Sequence, residues 1–219
     1  MRSVVRMRVL DQLRRGAVAL AFMMAAAMLP RSGAVAGTSN EEVADTTQAL
    51  EFVDGLATQA YQALSDRTLS AKEREARARS LIDHGFNVRY VSLLALGAYA
   101  RYLDDKALNE YEAKFGDFLY GKYTALVENY GVVRFHAINA ERVGLRDALV
   151  HLIIYRKGDA VDTEWRVRIF DGEPRIIDVE IAGVSLTQSE RTDFAALIKQ
   201  SGFKGLFDAL SAYSPDKPA

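Results

Sequence analysis

The apolar residues of this 219-residue chain keep a helical spacing up to Gly131 and then switch to strict alternation. A helix repeats every ~3.6 residues and a strand every two, so a segment written in one period buries no face in the other. Upstream, Val43, Leu50, Val53, Leu56, Ala57, Ala60 and Leu64 share one side of a helix predicted over Val43–Leu64. Ser70-Ala71-Lys72-Glu73 reads as a capping box that opens a second helix, stopped by Gly85 after His84. Asn87–Tyr102 is a third helical stretch, apolar all round, which predicts burial between layers. The longest helix is expected over Asp104–Tyr130, with Leu108, Tyr111, Phe115, Phe118, Leu119 and Leu126 on one face. Downstream, Val132–Ile138, Ala148–Tyr155, Glu164–Phe170 and Ile176–Ile181 read as strands, broken at Lys157-Gly158-Asp159 and Asp171-Gly172-Glu173-Pro174. Trp165, Val167 and Ile169 alternate with Arg166 and Arg168, and Ile177, Val179 and Ile181 alternate with Asp178 and Glu180. A five-residue loop between them would set Arg168 against Asp178 and Arg166 against Glu180, with both apolar triplets on the other face. Thr187-Gln188-Ser189-Glu190 reads as a further capping box. Its helix ends at Ser201-Gly202, and a short amphipathic one carries Phe203, Leu206, Phe207 and Leu210. Helices, a meander of strands, then helices give an α+β fold: helices packed on one face of a four-stranded antiparallel sheet.

The N-terminus constrains the address. Arg2, Arg6, Arg8, Arg14 and Arg15 precede an uncharged run of 14 residues, Gly16–Leu29, then Pro30 and the small-x-small pattern Ala34-Val35-Ala36. That order is the signal-peptide order, with cleavage expected after Ala36, and the run falls short of the ~20 residues a membrane span needs. A buried amphipathic helix is the competing reading, but its charges would line one face instead of preceding the apolar block. Arg14-Arg15 hints at the twin-arginine route, and nothing else of that motif follows. Residues 1–36 carry a balance of +5, so the remaining 183 residues hold −6. They form one expected domain, 37–219, with a short leader at Thr38–Ala44 and a frayed tail at 214–219. An acidic domain is a poor match to nucleic acid. The absence of Cys excludes disulfides, thiol catalysis and a lipidated lipobox.

Catalytic patterns are sparse. His84, His136 and His151 show no metal-ligand spacing, although His136 and His151 can meet across neighbouring strands. Asp104-Asp105 sits where a helix N-terminus favours acids, and Glu110, Glu112 and Asp117 read as solvated helix residues. Ser185, after Gly183, has no base placed for it. No metal or cofactor is called for, and the balance is against an enzyme. The positive signal is aromatic: Tyr90, Tyr99, Tyr102, Tyr111, Phe115, Phe118, Tyr120 and Tyr123 crowd the third and fourth helices. Periodicity does not separate a filled core from a lined cavity.

Two blocks carry a resemblance. Phe86-Asn87-Val88-Arg89-Tyr90-Val91-Ser92-Leu93-Leu94-Ala95-Leu96-Gly97 resembles the apolar helix, ending in Leu-Gly, of the MlaC/toluene-tolerance family of periplasmic phospholipid-binding proteins. Trp165-Arg166-Val167-Arg168 and Ile177–Leu186 resemble that family's strand pair, leading to Phe194 and Gly202-Phe203-Lys204-Gly205-Leu206. Leu186 stands where Met is usual, and a branch linked to hopanoid biosynthesis shares the same motifs. The resemblance, over about residues 50–212, implies an apolar cavity between helices and sheet that holds phospholipid acyl tails. It further implies a carrier that shuttles lipid between an outer-membrane lipoprotein complex and an inner-membrane ABC transporter. The expected tail-lining wall is Val91, Leu94, Tyr99, Phe115, Leu119, Tyr123, Trp165, Val167, Ile169, Ile177, Val179 and Ile181. Arg89 and Arg101 are candidates for the headgroup phosphate, with plain surface ion pairs as the alternative. Two other readings stand beside it: a small-molecule cup or enzyme using His136 or His151, and a scaffold with a filled core.

Overall fold

The computed structural model describes residues 45–66, 68–130, 132–156 and 158–213. The expected signal peptide at 1–36, the expected leader at Thr38–Ala44 and the 214–219 tail lie outside them, as do the side chains of Tyr123 and Leu126. No described helix is long and apolar enough to cross a membrane.

Helix α1, Thr46–Ser65, starts at Asp45, whose carboxylate accepts the backbone N–H groups of Thr47 and Gln48 at 2.8 and 3.2 Å. Its buried side, Ala49, Val53, Ala57 and Ala63, packs on the sheet. The capping box is present at α2, Ala71–Gly85, with Ser70 and Glu73 exchanging side-chain and backbone bonds. Those bonds from Ser70 hold the Glu73 carboxyl below the usual carboxylate range. The next two residues cross the sheet edge. Phe86 pairs with Ile176 as a parallel bridge, and Asn87 N–H donates to the Ile176 carbonyl at 3.1 Å. Asn87 then caps α3, Val88–Leu96.

Here the expected continuous helix over Asn87–Tyr102 is corrected. Gly97 has φ 58° and ψ −134°, a conformation open in practice only to glycine, and the chain continues as a 3-10 segment over Gly97–Tyr102. Arg191 Nε donates to the Leu94 carbonyl that the break releases, at 2.7 Å. Helix α4, Asp105–Tyr130, is capped by Asp104, which accepts from Ala107 N–H at 2.8 Å.

Among the described residues the sheet has five strands where four were expected: β1 Val132–Val143, β2 Asp147–Arg156, β3 Asp159–Phe170, β4 Glu173–Ile181 and β5 Val184–Ser185. All neighbours are antiparallel, in sequence order. The β3–β4 register also departs from expectation. Asp171 and Gly172 take φ of 51° and 85°, closing the hairpin in two residues instead of five. Arg168 therefore faces Arg175, and a bulge at Ile177 shifts the pairing so that Arg166 faces Asp178 and Glu164 faces Glu180. Deprived of a cross-strand acid on β4, Arg168 takes one on β2: Asp147, its register partner there, accepts from it at 2.6 and 3.0 Å.

Ala148, Val150, Leu152, Val167, Ile176, Val179 and Ile181 are buried, with Trp165 half-buried among them. Helix α5, Leu186–Leu210, is capped by Ser185 instead of Thr187; Ser185 Oγ accepts from Gln188 N–H, and Glu190 is drawn to Lys122 of α4. Gly202 (φ 65°) breaks α5 where the sequence indicated, before a closing 3-10 turn, Ser211–Tyr213. Between α4 and α5 lies an aromatic cluster of Tyr111, Phe115, Phe118, Phe194, Phe207 and Tyr213, with ring centroids 5.0–6.5 Å apart.

Candidate functional site

The expected wall residues fall into two groups, set by two different packing layers. On the sheet, register places Trp165 beside Val179 and Val167 beside Ile176, and the Phe86 ring stands 6.4 Å from that of Trp165. Ile177 occupies the bulge and is buried; Ile169 is half-buried opposite Pro174. On the helices, Val91 is buried on α3, and Phe115 and Leu119 are buried on α4. Phe115 belongs to the aromatic cluster, 6.2 Å from Phe194. Tyr99, in the 3-10 segment, lies against Tyr102 and Phe203, both at 6.4 Å. Seven of these residues, Val91, Phe115, Leu119, Val167, Ile177, Val179 and Ile181, are only 1–6% exposed. The apolar members that keep accessible surface are Leu94, Tyr99, Trp165 and Ile169.

The two candidate headgroup residues stand apart in their contacts. The Arg89 side chain is 67% exposed, with Nε 3.6 Å from Glu112 Oε1. Arg101 lies over the ring of its neighbour Tyr102, donating to that hydroxyl at 2.8 Å.

Possible catalytic groups have local explanations. Asp104 is a helix cap, and Ser185 Oγ donates to Asp178 at 2.6 Å while capping α5. Asp178 also accepts from Thr187 N–H at 3.1 Å, so it pins the corner where the sheet becomes helix. His84 Nδ1 lies 2.7 Å from the Ser80 carbonyl of its own helix. His136 sits opposite Ile153 and His151 opposite Asn139, so the two imidazoles are offset along the strands instead of paired. His151 Nε2 is 3.6 Å from Asp162. Among the described residues, no group of three His, Asp or Glu is placed to hold a metal ion.

One polar feature was invisible in the sequence. A cleft of about 260 Å³ opens between α2 and α4, lined by Arg79, Asp83, Glu112, Asp117 and Tyr120 with Ile82, Val88, Ala113 and Gly116. Glu112 and Asp117, expected to be solvated, are instead 17% and 29% exposed. Asp117 accepts from Arg79 Nη1 at 2.8 Å. The i,i+4 pair Glu75–Arg79 was there to be read on one helix; a bond 38 residues apart was not.

Comparison with known proteins decides the lineage. The family model described as MlaC protein matches residues 54–212. The chain belongs to the MlaC family. The match runs from within α1 to the closing 3-10 turn, across every element of the sheet. Among solved structures, the fold is similar to that of the phospholipid-binding protein from Ralstonia solanacearum in complex with a phospholipid. The TM-score is 0.63 at 18% identity, over 76% of this chain and 96% of that one. No curated protein matches the chain. The motifs that resembled MlaC proteins now have physical roles here. Gly97 and Gly202 supply positive φ at helix breaks. Gly183 (φ 77°) turns β4 into β5, and a Cβ at Gly205 would lie 2.4 Å from the Ser201 side chain.

Proposed function

We propose that this chain is a periplasmic phospholipid carrier, exported by the 1–36 signal peptide. It would hold acyl tails between its helical layer and the inner face of its sheet, and pass lipid between membrane complexes. The observation that carries the reading is the MlaC match over residues 54–212, supported by the likeness to a protein solved with a phospholipid bound. Physical chemistry explains the need for such a device. Each CH₂ kept from water is worth ~0.8 kcal/mol, so two sixteen-carbon tails represent about 25 kcal/mol that an aqueous crossing must not forfeit. A membrane shelters the tails equally well, so transfer is close to thermoneutral and direction is left to the partners.

In this reading Leu94, Tyr99, Trp165 and Ile169 are the accessible part of the wall, Val91, Phe115, Leu119, Val167, Ile177, Val179 and Ile181 lie deeper, and Tyr123 is counted with them on the sequence alone. Arg89 and Arg101 reach solvent and remain candidates for a phosphate contact. No residue is assigned a catalytic role.

The test is extraction and mass spectrometry of protein purified from the periplasm without detergent. Phospholipid near one equivalent is expected, with uptake from vesicles by the delipidated protein. Material that is reproducibly lipid-free and takes up nothing from vesicles would overturn the proposal.

A further inference from the structure

None of the expected tail-wall residues lines the cleft between α2 and α4, and its walls carry opposite charges. Arg79 lies over the Tyr120 ring at 4.1 Å and is fixed through Nη1 to Asp117 and through Nε to Glu75. Its Nη2 is buried with no hydrogen-bond partner among the described residues. On the facing helix, Glu112 Oε1 is buried in the same condition, its ion-pair partner Arg89 standing off at 3.6 Å. Buried donors and acceptors are almost always satisfied, so one of each in the walls of a single cleft calls for an explanation. Both atoms are shut off from bulk water as the cleft stands. Both belong to side chains that line it: Glu112 would reach an occupant by turning about its own side-chain bonds, and Arg79 by exchanging its bond to Glu75 or Asp117 for one to the occupant.

That occupant must offer an oxygen acceptor to Arg79 and a donor to Glu112. Asp83 and Asp117 add negative charge, which favours a cationic donor over a neutral one and disfavours a bare anion. We propose that the cleft is a binding site for a small zwitterionic group, an ammonium and an oxyanion on a short carbon linker, as in phosphoethanolamine. Two sources fit that chemistry, an aminophospholipid headgroup and a free zwitterion. The headgroup source rests on the carrier reading; the site does not. Val88 lines the cleft and Val91 of the tail wall lies one turn further along α3, which sets a headgroup here next to tails there.

Amide NMR of the exported protein tests the site. Phosphoethanolamine should shift the Arg79–Asp83 and Glu112–Tyr120 amides. Glycerol phosphate, an anion without the ammonium, should not, and Glu112→Gln should weaken the effect about tenfold, as loss of one charge-assisted bond does. Asp83→Asn, on the exposed rim, serves as a second variant should Glu112→Gln fold poorly. Equal response to both compounds, no response, or an unchanged response in the variants overturns the site. A response to argininamide alone overturns it too, by assigning the cleft to a partner's basic side chain. Uptake from vesicles of phosphatidylethanolamine against phosphatidylglycerol separates the sources. A preference for the former that Glu112→Gln abolishes supports the headgroup, and a preference untouched by Glu112→Gln leaves a free zwitterion. Should neither lipid be taken up, the carrier reading falls, and the NMR titration still judges the cleft.

Discussion

Lys122 and Glu190 show how a single pair is weighed in this interior. Their side chains are 22% and 8% exposed, and they join α4 to α5 in direct contact. Burial nevertheless pushes the Lys122 ammonium down to about 8, with the Asp193 carboxylate opposing the shift. Desolvation thus sets the direction of the Lys122 shift, and a buried ion pair can cost more in desolvation than its attraction returns. Lys122→Met alone leaves a buried carboxylate without its cation and should cost about 3–5 kcal/mol in urea unfolding at neutral pH. The pair Lys122→Met/Glu190→Leu should lose much less than that, or nothing. The sign of the pH effect follows. Between pH 8 and the ordinary lysine value of 10.5 the unfolded chain keeps a proton that the folded chain has released. Stability contributed by Lys122 therefore rises with pH across that window, by up to about 1.4 kcal/mol per unit, and the burial cost is complete below pH 8. Urea midpoints from pH 8 to 10 should show this slope in the wild type and not in the double variant; equal slopes would refute it.

Helix breaks decide which segments face each other. Gly97 and Gly202 each end a straight helical run at positive φ, and Tyr99 and Phe203 just beyond them meet edge to face at 6.4 Å. A Cβ at Gly97 would lie 3.4 Å from Arg191 Nε, the donor that satisfies Leu94; at Gly202 it would meet open space. Gly97→Ala should accordingly cost about 1–3 kcal/mol, backbone strain joined by displacement of Arg191. Gly202→Ala should cost less, from strain alone, and thermal melts of the two variants rank them. Ser185→Ala belongs at this scale as well. It removes the α5 cap together with a bond to Asp178, and a loss of about 1–2 kcal/mol in unfolding free energy is expected. A melt indistinguishable from wild type would show that Asp178 holds that corner through Thr187 alone.

At the scale of the molecule the question is where space for a ligand can open. Enlarging Val167, which is 1% exposed between Ala148 and Ile176, overpacks the sheet's inner face and should cost stability directly. Leu94 and Ile169 keep accessible surface, so a larger side chain there need not displace core neighbours. On the carrier reading, Leu94→Trp or Ile169→Trp should lower co-purifying phospholipid by more than half and shift the unfolding midpoint little. Full lipid occupancy in both variants would remove these two residues from the wall.

The order and type of the major helices and strands were written in the linear pattern, because period, caps and punctuating glycines act over a few residues. The Ser70 capping box, the stop at Gly85, the capping role of Asp104 and the break at Gly202 are all found where local chemistry put them. Motif order was equally legible, and it pointed to the MlaC family. What lay beyond reach depended on pairing across distance. Two positive-φ residues shortened the β3–β4 turn, and a bulge moved its register, so Arg168 found its acid on β2. Ser185 caps α5 ahead of Thr187, and Glu190 pairs with a lysine on another helix instead of closing a capping box. The α2–α4 cleft exists only once residues such as Arg79 and Asp117 are brought together, and no spacing within one helix encodes that meeting. Local order is set by short-range backbone sterics and periodicity; the partner of a charge is set by which surfaces the fold presses together.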